Sequence, residues 1–208
     1  MSSPSVVDRI AAARAGSLSA ADGLLRRYEP WLKLMARTGF ESRCAAKFDP
    51  ADVVQQTMVQ AVRDLAAFRG TSEGEWMAWL RQILAHALAH EVRRYAGTAK
   101  RDVGREVSID EDLTAVSGRL GDILPAEGPT PSEEAAGTDR QLLLARLLER
   151  LPPDYREVLV LRHLEGLGHE AIAERLGRNP GAVRMLWVRA LARLREEASK
   201  EGSASGLC

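Results

Sequence analysis

The tetrapeptide Gly177-Arg178-Asn179-Pro180 constrains the chain more than any other stretch. Glycine closes a helix in the left-handed conformation, Asn caps the start of the next one, and Pro suits a first helical position, where no N–H is needed. One helix therefore stops and another starts within a few residues. On the N-terminal side, His169 to Leu176 carries Ile172 and Leu176 at helical spacing. Gly166 separates it from a further helix after Pro152-Pro153 with Tyr155, Val158, Leu159 and Leu161. On the C-terminal side, Val183, Leu186, Trp187, Ala190, Leu191 and Leu194 recur at steps of one, three or four, which draws one apolar stripe along a helix. Two helices joined this tightly behind a support helix predict a helix-turn-helix.

The side opposite that stripe holds Gly181, Arg184, Met185, Val188 and Arg189. Arg178, Arg184, Arg189, Arg193 and Arg195 are basic, and no acid follows until Glu196. Such a face suits phosphates and the base edges of a major groove. A solvated face on an ordinary helical hairpin is the plainer alternative. The tight turn and the small residues Gly181 and Ala182 at the helix entry favour DNA, with Arg178, Arg184, Met185, Arg189 and Arg193 as candidate contacts.

The rest of the composition narrows the class. Twenty-nine basic residues balance 29 acidic ones, so any basic surface is local and the chain does not coat nucleic acid by bulk charge. With 45% hydrophobic residues, 208 residues suffice for one large domain or two small ones. Cys44 and Cys208 form neither a disulfide framework nor a zinc pattern. No apolar run reaches membrane-spanning length, and the N-terminus lacks the order of a signal peptide, so a cytoplasmic location away from membranes is expected. A phosphate-cradling glycine loop, a nucleophile elbow and a paired-carboxylate site are all missing, so neither an enzyme nor a bound cofactor is expected.

Taken in order, the first residues read as frayed or weakly helical. Ser19 to Asp22 then resembles a capping box that opens a helix with Leu24, Leu25, Tyr28, Trp31, Leu32 and Met35, bent or restarted at Pro30. Asp49 and Pro50 begin a second helix with Val54, Met58, Ala61 and Leu65 on one side and Asp52, Gln55, Gln56, Gln60 and Arg63 on the other. Phe68-Arg69-Gly70 ends it, and residues 71–74 read as a loop. From Glu75 a long helix is expected to bury Trp76, Leu80, Ile83, Leu84, Ala87, Leu88 and Tyr95. A second stripe on it holds Trp79, Gln82, His86, His90 and Arg93. Trp79 suits packing as readily as recognition. His86 and His90 have no third ligand at a convincing spacing, so no metal site is expected. Arg93, Arg94, Lys100, Arg101 and Arg105 make a basic exit.

Between residues 106 and 139 nine acids face the single base Arg119, and Pro125, Gly128, Pro129 and Pro131 interrupt the chain. This predicts a flexible tether, within which Leu120, Ile123 and Leu124 offer a short docking segment. Helical periodicity resumes over Arg140 to Leu151. The expected fold is all-α: two small helical domains joined by a flexible acidic linker, the C-terminal one a helix-turn-helix. The boundaries are 1–105, 106–139 and 140–208.

Three segments in this order resemble the extracytoplasmic-function group of sigma-70-type RNA polymerase sigma factors: Asp49 to Gly70, Trp76 to Tyr95, and Leu151 onward through the helix-turn-helix. The resemblance covers most of the chain. It implies that Asp52, Gln55, Gln56 and Gln60 meet core RNA polymerase. It also implies that Trp79, Gln82, His86, His90, Arg93 and Arg94 melt and hold the downstream element of promoter DNA, and that the C-terminal module reads the upstream one. An anti-sigma factor is a further partner it leaves open. The chain departs from the family at Gln56, where an acid is usual, at His86 and at His90-Glu91, and at Leu186-Trp187. The resemblance implies a chain in which, of the regions that a primary sigma factor carries before and between these modules, only the acidic stretch is expected. The rival reading is a stand-alone helix-turn-helix transcriptional regulator, for which the N-terminal half would have to supply a ligand cavity or a dimer seam.

Overall fold

A computed structural model describes residues 4–38, 49–95, 103–122 and 133–205, and every described element is helical. The helices are α1 Val6–Arg14, α2 Leu18–Thr38, α3 Pro50–Asp64, α4 Glu73–Tyr95, α5 Val103–Asp122, α6 Glu133–Arg150, α7 Pro153–Leu159, α8 His169–Leu176 and α9 Pro180–Ser205. A 3₁₀ turn, Leu65–Ala67, extends α3, and a wide π turn, Val160–Leu164, extends α7.

Capping accounts for several starts. The N-terminal stretch is firmer than expected: Ser5 and Asp8 form a reciprocal capping box at the head of α1, whose Ile10 and Ala13 are buried. Ser17, rather than Ser19, caps α2, its hydroxyl accepting from the Ala20 amide at 3.3 Å. That helix runs through Pro30 without a break. Asp49 caps α3 as expected, accepting from the Ala51 amide at 2.8 Å, with Pro50 at the first position. The second long helix starts at Glu73, not Glu75, because Ser72 is the cap and Glu75 its partner three residues on. The Glu75 carboxylate accepts from the Thr71 and Ser72 amides at 2.8 and 3.0 Å. These bonds hold its pKa below the usual carboxylate range.

The hub is α2, which packs against α1, α3, α4, α5 and α6. Tyr28, Trp31 and Trp76 lie fully buried along it, with Tyr28 edge-on to Trp76 at 6.2 Å. The Tyr28 hydroxyl donates to Glu73 at 2.6 Å, and burial together with that carboxylate raises its pKa. On α4 the buried apolar set is Trp76, Met77, Leu80, Leu84, Ala85, Leu88, Ala89 and Val92, while Ile83 and Ala87 are only half-buried. The stripe is broader than its sequence suggests because α4 lies between α3 and α5. The side chain of Tyr95 lies outside the described residues.

Residues 106–139 contain a packed helix where a tether was expected. Within α5, Ile109, Leu113, Val116 and Leu120 are buried against a layer formed by α2, α4, α6 and the π turn. Their spacing of four, three and four is helical, and the acidic residues between them occupy the other faces. Arg81 pairs with Asp110 at 3.2 Å, Ser117 donates to Gln141 at 2.6 Å, and Arg119 donates to the Leu164 carbonyl at 2.8 Å. Ion pairs also join α2 to α6: Arg27 to Asp139 at 2.8 Å and Lys33 to Glu149 at 3.1 Å. Each such part-exposed pair contributes only about 0.2–1 kcal/mol, whereas fully burying one aliphatic side chain contributes about 1.5–3 kcal/mol. The apolar layer dominates. Ile123, Leu124, the interrupting prolines, Lys100, Arg101, Cys44 and Cys208 lie outside the described residues, as does the side chain of Arg105.

Candidate nucleic-acid interface

The C-terminal module is built around the turn that the sequence marks. Gly177 adopts φ +60°, and the Gly177 and Arg178 amides return to the Glu174 and Ala173 carbonyls at 3.2 and 2.8 Å, closing α8. Two residues later the Asn179 side chain accepts from the Gly181 amide at 2.7 Å and its carbonyl from the Val183 amide at 3.0 Å, opening α9 behind Pro180. The buried residues Ile172 and Ala173 of α8 and Val183, Ala190 and Leu194 of α9 belong to one cluster with Val158, Leu161 and Leu164. Leu186, Trp187 and Leu191 are half-buried beside it. Trp187 donates its indole N–H to His163 Nε2 at 3.1 Å, stacks on that ring, and meets His169 edge-on at 5.6 Å. Burial, aided by neighbouring Arg162, pushes the His163 pKa down, so the neutral ring can accept this bond.

All five upstream candidates, Arg178, Arg184, Met185, Arg189 and Arg193, are exposed. The face is less bare than its local sequence implies, because α7 and α8 bring acids onto it. Arg178 pairs with Asp154, Arg184 with Glu170 at 2.9 Å, and Arg193 with Glu196 and Glu197 at 2.8 and 2.9 Å. Arg189 meets no acid among the described residues. Such exposed pairs are worth little and exchange readily for a phosphate. Asp154 and Glu170 are many residues away in sequence, so no local pattern could have revealed them.

In the N-terminal half the candidates fall on two neighbouring helices. Asp52, Gln55, Gln56 and Gln60 are exposed on α3, with Gln60 donating to Asp64 at 2.7 Å. Exposed Val59 and Val62 interrupt that amide surface, two residues that sequence reasoning missed. On α4, Gln82, His86, His90, Arg93 and Arg94 are exposed. Trp79 is half-buried, its ring 5.0 Å from both Phe68 and Trp76, so it is at once a packing residue and a partly open aromatic face. Phe68 folds over Gly70, where an added Cβ would lie 2.3 Å from the ring. His86 Nδ1–H donates to the Gln82 carbonyl at 2.7 Å. Glu91 is buried, with His90 at 3.4 Å and Arg94 at 3.6 Å from its carboxylate.

Gln56, Val59, Gln60 and Arg63 of α3 face Trp79, Gln82, Ile83, His86 and His90 of α4 across one open groove of about 830 Å³. The two helices thus bring together surfaces that their sequences present separately. Asp52, Gln55, Arg93 and Arg94 stand outside the groove lining. Among the described residues no cluster of His, Cys, Asp and Glu could hold a metal ion, and no helix is long and apolar enough to cross a membrane.

The family description "Sigma-70, region 4" matches residues 141–194, which run from within α6 through α7 and α8 into α9. The ECF RNA polymerase sigma-E factor of Salmonella typhimurium is 32% identical over 144 residues, covering 69% of this chain and 70% of that protein. The chain belongs to the ECF RNA polymerase sigma factors. ECF RNA polymerase sigma factor SigE of Mycolicibacterium smegmatis is 31% identical over 156 residues; the match covers 74% of this sigma factor but 54% of that longer relative. Among solved structures, CnrH in complex with the cytosolic domain of CnrY is 23% identical, with 93% of this chain and 98% of that one covered at a TM-score of 0.34.

Proposed function

We propose that the protein binds core RNA polymerase and directs promoter-specific transcription initiation in the cytoplasm, reading an upstream element with α9 and opening a downstream one with α4. The observation that carries this reading is the coincidence of the region 4 match with a well-capped α8–turn–α9 unit whose outward face bears Arg184, Met185 and Arg189. In this reading, residues 1–105 hold the polymerase-binding and melting surfaces, residues 106–139 connect, and residues 140–208 read the upstream element. Asp52, Gln55, Gln56 and Gln60 form the polymerase contact. Arg178 and Arg193 position the upstream module on phosphates, while Arg184, Met185 and Arg189 enter the major groove.

Strand opening requires bases to leave the stack and be held by aromatic and polar groups, which Trp79, Gln82, His86 and His90 supply beside the cations Arg93 and Arg94. Either surface alone would bind DNA weakly and with strong salt dependence. Mounted on one polymerase, the two act as tethered readers at high effective concentration, so their modest specificities combine. Purified chain added to core polymerase on a genomic promoter library should yield transcripts from a defined promoter subset. Absence of both co-elution with core and chain-dependent transcripts would overturn the proposal.

A further inference from the structure

We infer that Met185 and Val188 read the 5-methyl groups of thymines on neighbouring base pairs of the upstream element, an inference that rests on α9 being the major-groove helix. Met185 is 54% exposed and Val188 50% exposed. An isolated apolar residue on a surface needs no explanation. These two lie three residues apart on one helix, so their side chains are neighbours about 5–6 Å apart and form one patch. Exposed cations flank it, Arg184 before and Arg189 after, with Arg178 and Arg193 beyond. Arg178, Arg184 and Arg193 are each paired with an acid, but such exposed pairs are weak and can give way to a phosphate, so a patch set among these arginines suits a polyanion better than another protein's apolar surface.

The one apolar group on the base edges of the major groove is the thymine methyl, and base pairs rise 3.4 Å along a strand. Two side chains at this spacing therefore reach methyls one or two steps apart. The remainder of the face leaves them room. The start of the helix is small, with Gly181 and Ala182 exposed. Val188 joins the groove candidate Met185 in an apolar component whose chemistry is specific to thymine.

The test uses the full chain bound to core polymerase. Selection from a randomised upstream region first yields the preferred duplex. Each thymine in it is then replaced by uracil, which removes the methyl and leaves every hydrogen-bonding edge intact. Removing a methyl from a well-packed contact should weaken binding about fourfold at each of two neighbouring positions. A double variant, Met185→Ala with Val188→Ala, should be insensitive to uracil at the same positions while retaining the response at others. Both side chains are exposed, so the variant should fold, as circular dichroism would show. A clear selected sequence that is indifferent to uracil overturns the methyl readout and leaves the promoter-reading function standing. Failure to select any sequence overturns both. If the double variant keeps its uracil response and instead alters the sedimentation of the free chain, the patch is a protein contact and the inference falls.

Discussion

Replacing Leu113 with Ala separates a packed α5 from a tether. Leu113 is 0% exposed and lies on the stripe that also buries Ile109, Val116 and Leu120. Truncating a buried Leu to Ala costs about 2–5 kcal/mol, depending on how far the site collapses around the cavity. If α5 opens as its own cooperative unit, the loss belongs to the local opening equilibrium of this helix. At about 1.4 kcal/mol per factor of ten, protection of the α5 amides from hydrogen exchange should fall roughly thirtyfold to a few thousandfold. The amides of α8, which lie in a different part of the fold, should keep their protection apart from any global change. Leu113→Ala should be compared with Thr114→Ala, an exposed neighbour whose hydroxyl donates only to the Asp110 carbonyl of its own helix at 2.7 Å. Wild-type α5 amides that exchange at the rate of an unfolded chain, or a change below threefold on truncation, would refute the packing argument.

Simultaneous replacement of Asp52, Gln55 and Gln56 by Ala should abolish co-purification with core polymerase without altering the far-ultraviolet circular dichroism, since all three are exposed. Trp79→Ala should suppress permanganate reactivity of downstream thymines while polymerase binding persists; loss of the folded N-terminal half would instead assign Trp79 to its stack with Phe68 and Trp76. Arg193→Ala should weaken upstream binding for all sequences and reduce the salt slope by about one, whereas Arg189→Ala should relax preference at one or two base pairs, with each correct contact worth about 1–3 kcal/mol, as read by selection. His163 binds its proton less readily in the folded state than its ordinary 6.5, so below that value the unfolded chain takes up protons that the folded one does not. Stability should therefore fall as pH drops from 6.5 toward the lowered folded pKa, and pH-dependent urea unfolding should lose this slope in His163→Gln.

Local chemistry was legible wherever one short segment decides it. The stop and start at Gly177 and Asn179-Pro180, the Asp49 cap and the stripe Val183, Ala190 and Leu194 all follow from backbone donors, glycine's access to positive φ and a 3.6-residue period. The acidic stretch misled because average composition hides periodicity. Charges around residues 106–122 suggest solvation, yet the four apolar residues among them form one side of a helix. Trp79 remained ambiguous for a different reason, since its role turns on whether Phe68 and Trp76 leave part of its ring open.

The sequence by itself determined an all-helical chain with a helix-turn-helix near its end, because caps, breakers and apolar spacing act within a few residues. Only the tertiary structure decided what those helices present. It set the amide-rich side of α3 across a groove from Trp79, His86 and His90, brought Asp154 and Glu170 onto the arginines of the α9 module, and buried α5 between the two halves. These relations join residues from different helices. Their distances depend on how whole helices pack, and the periodicity within any one helix contains no information about that.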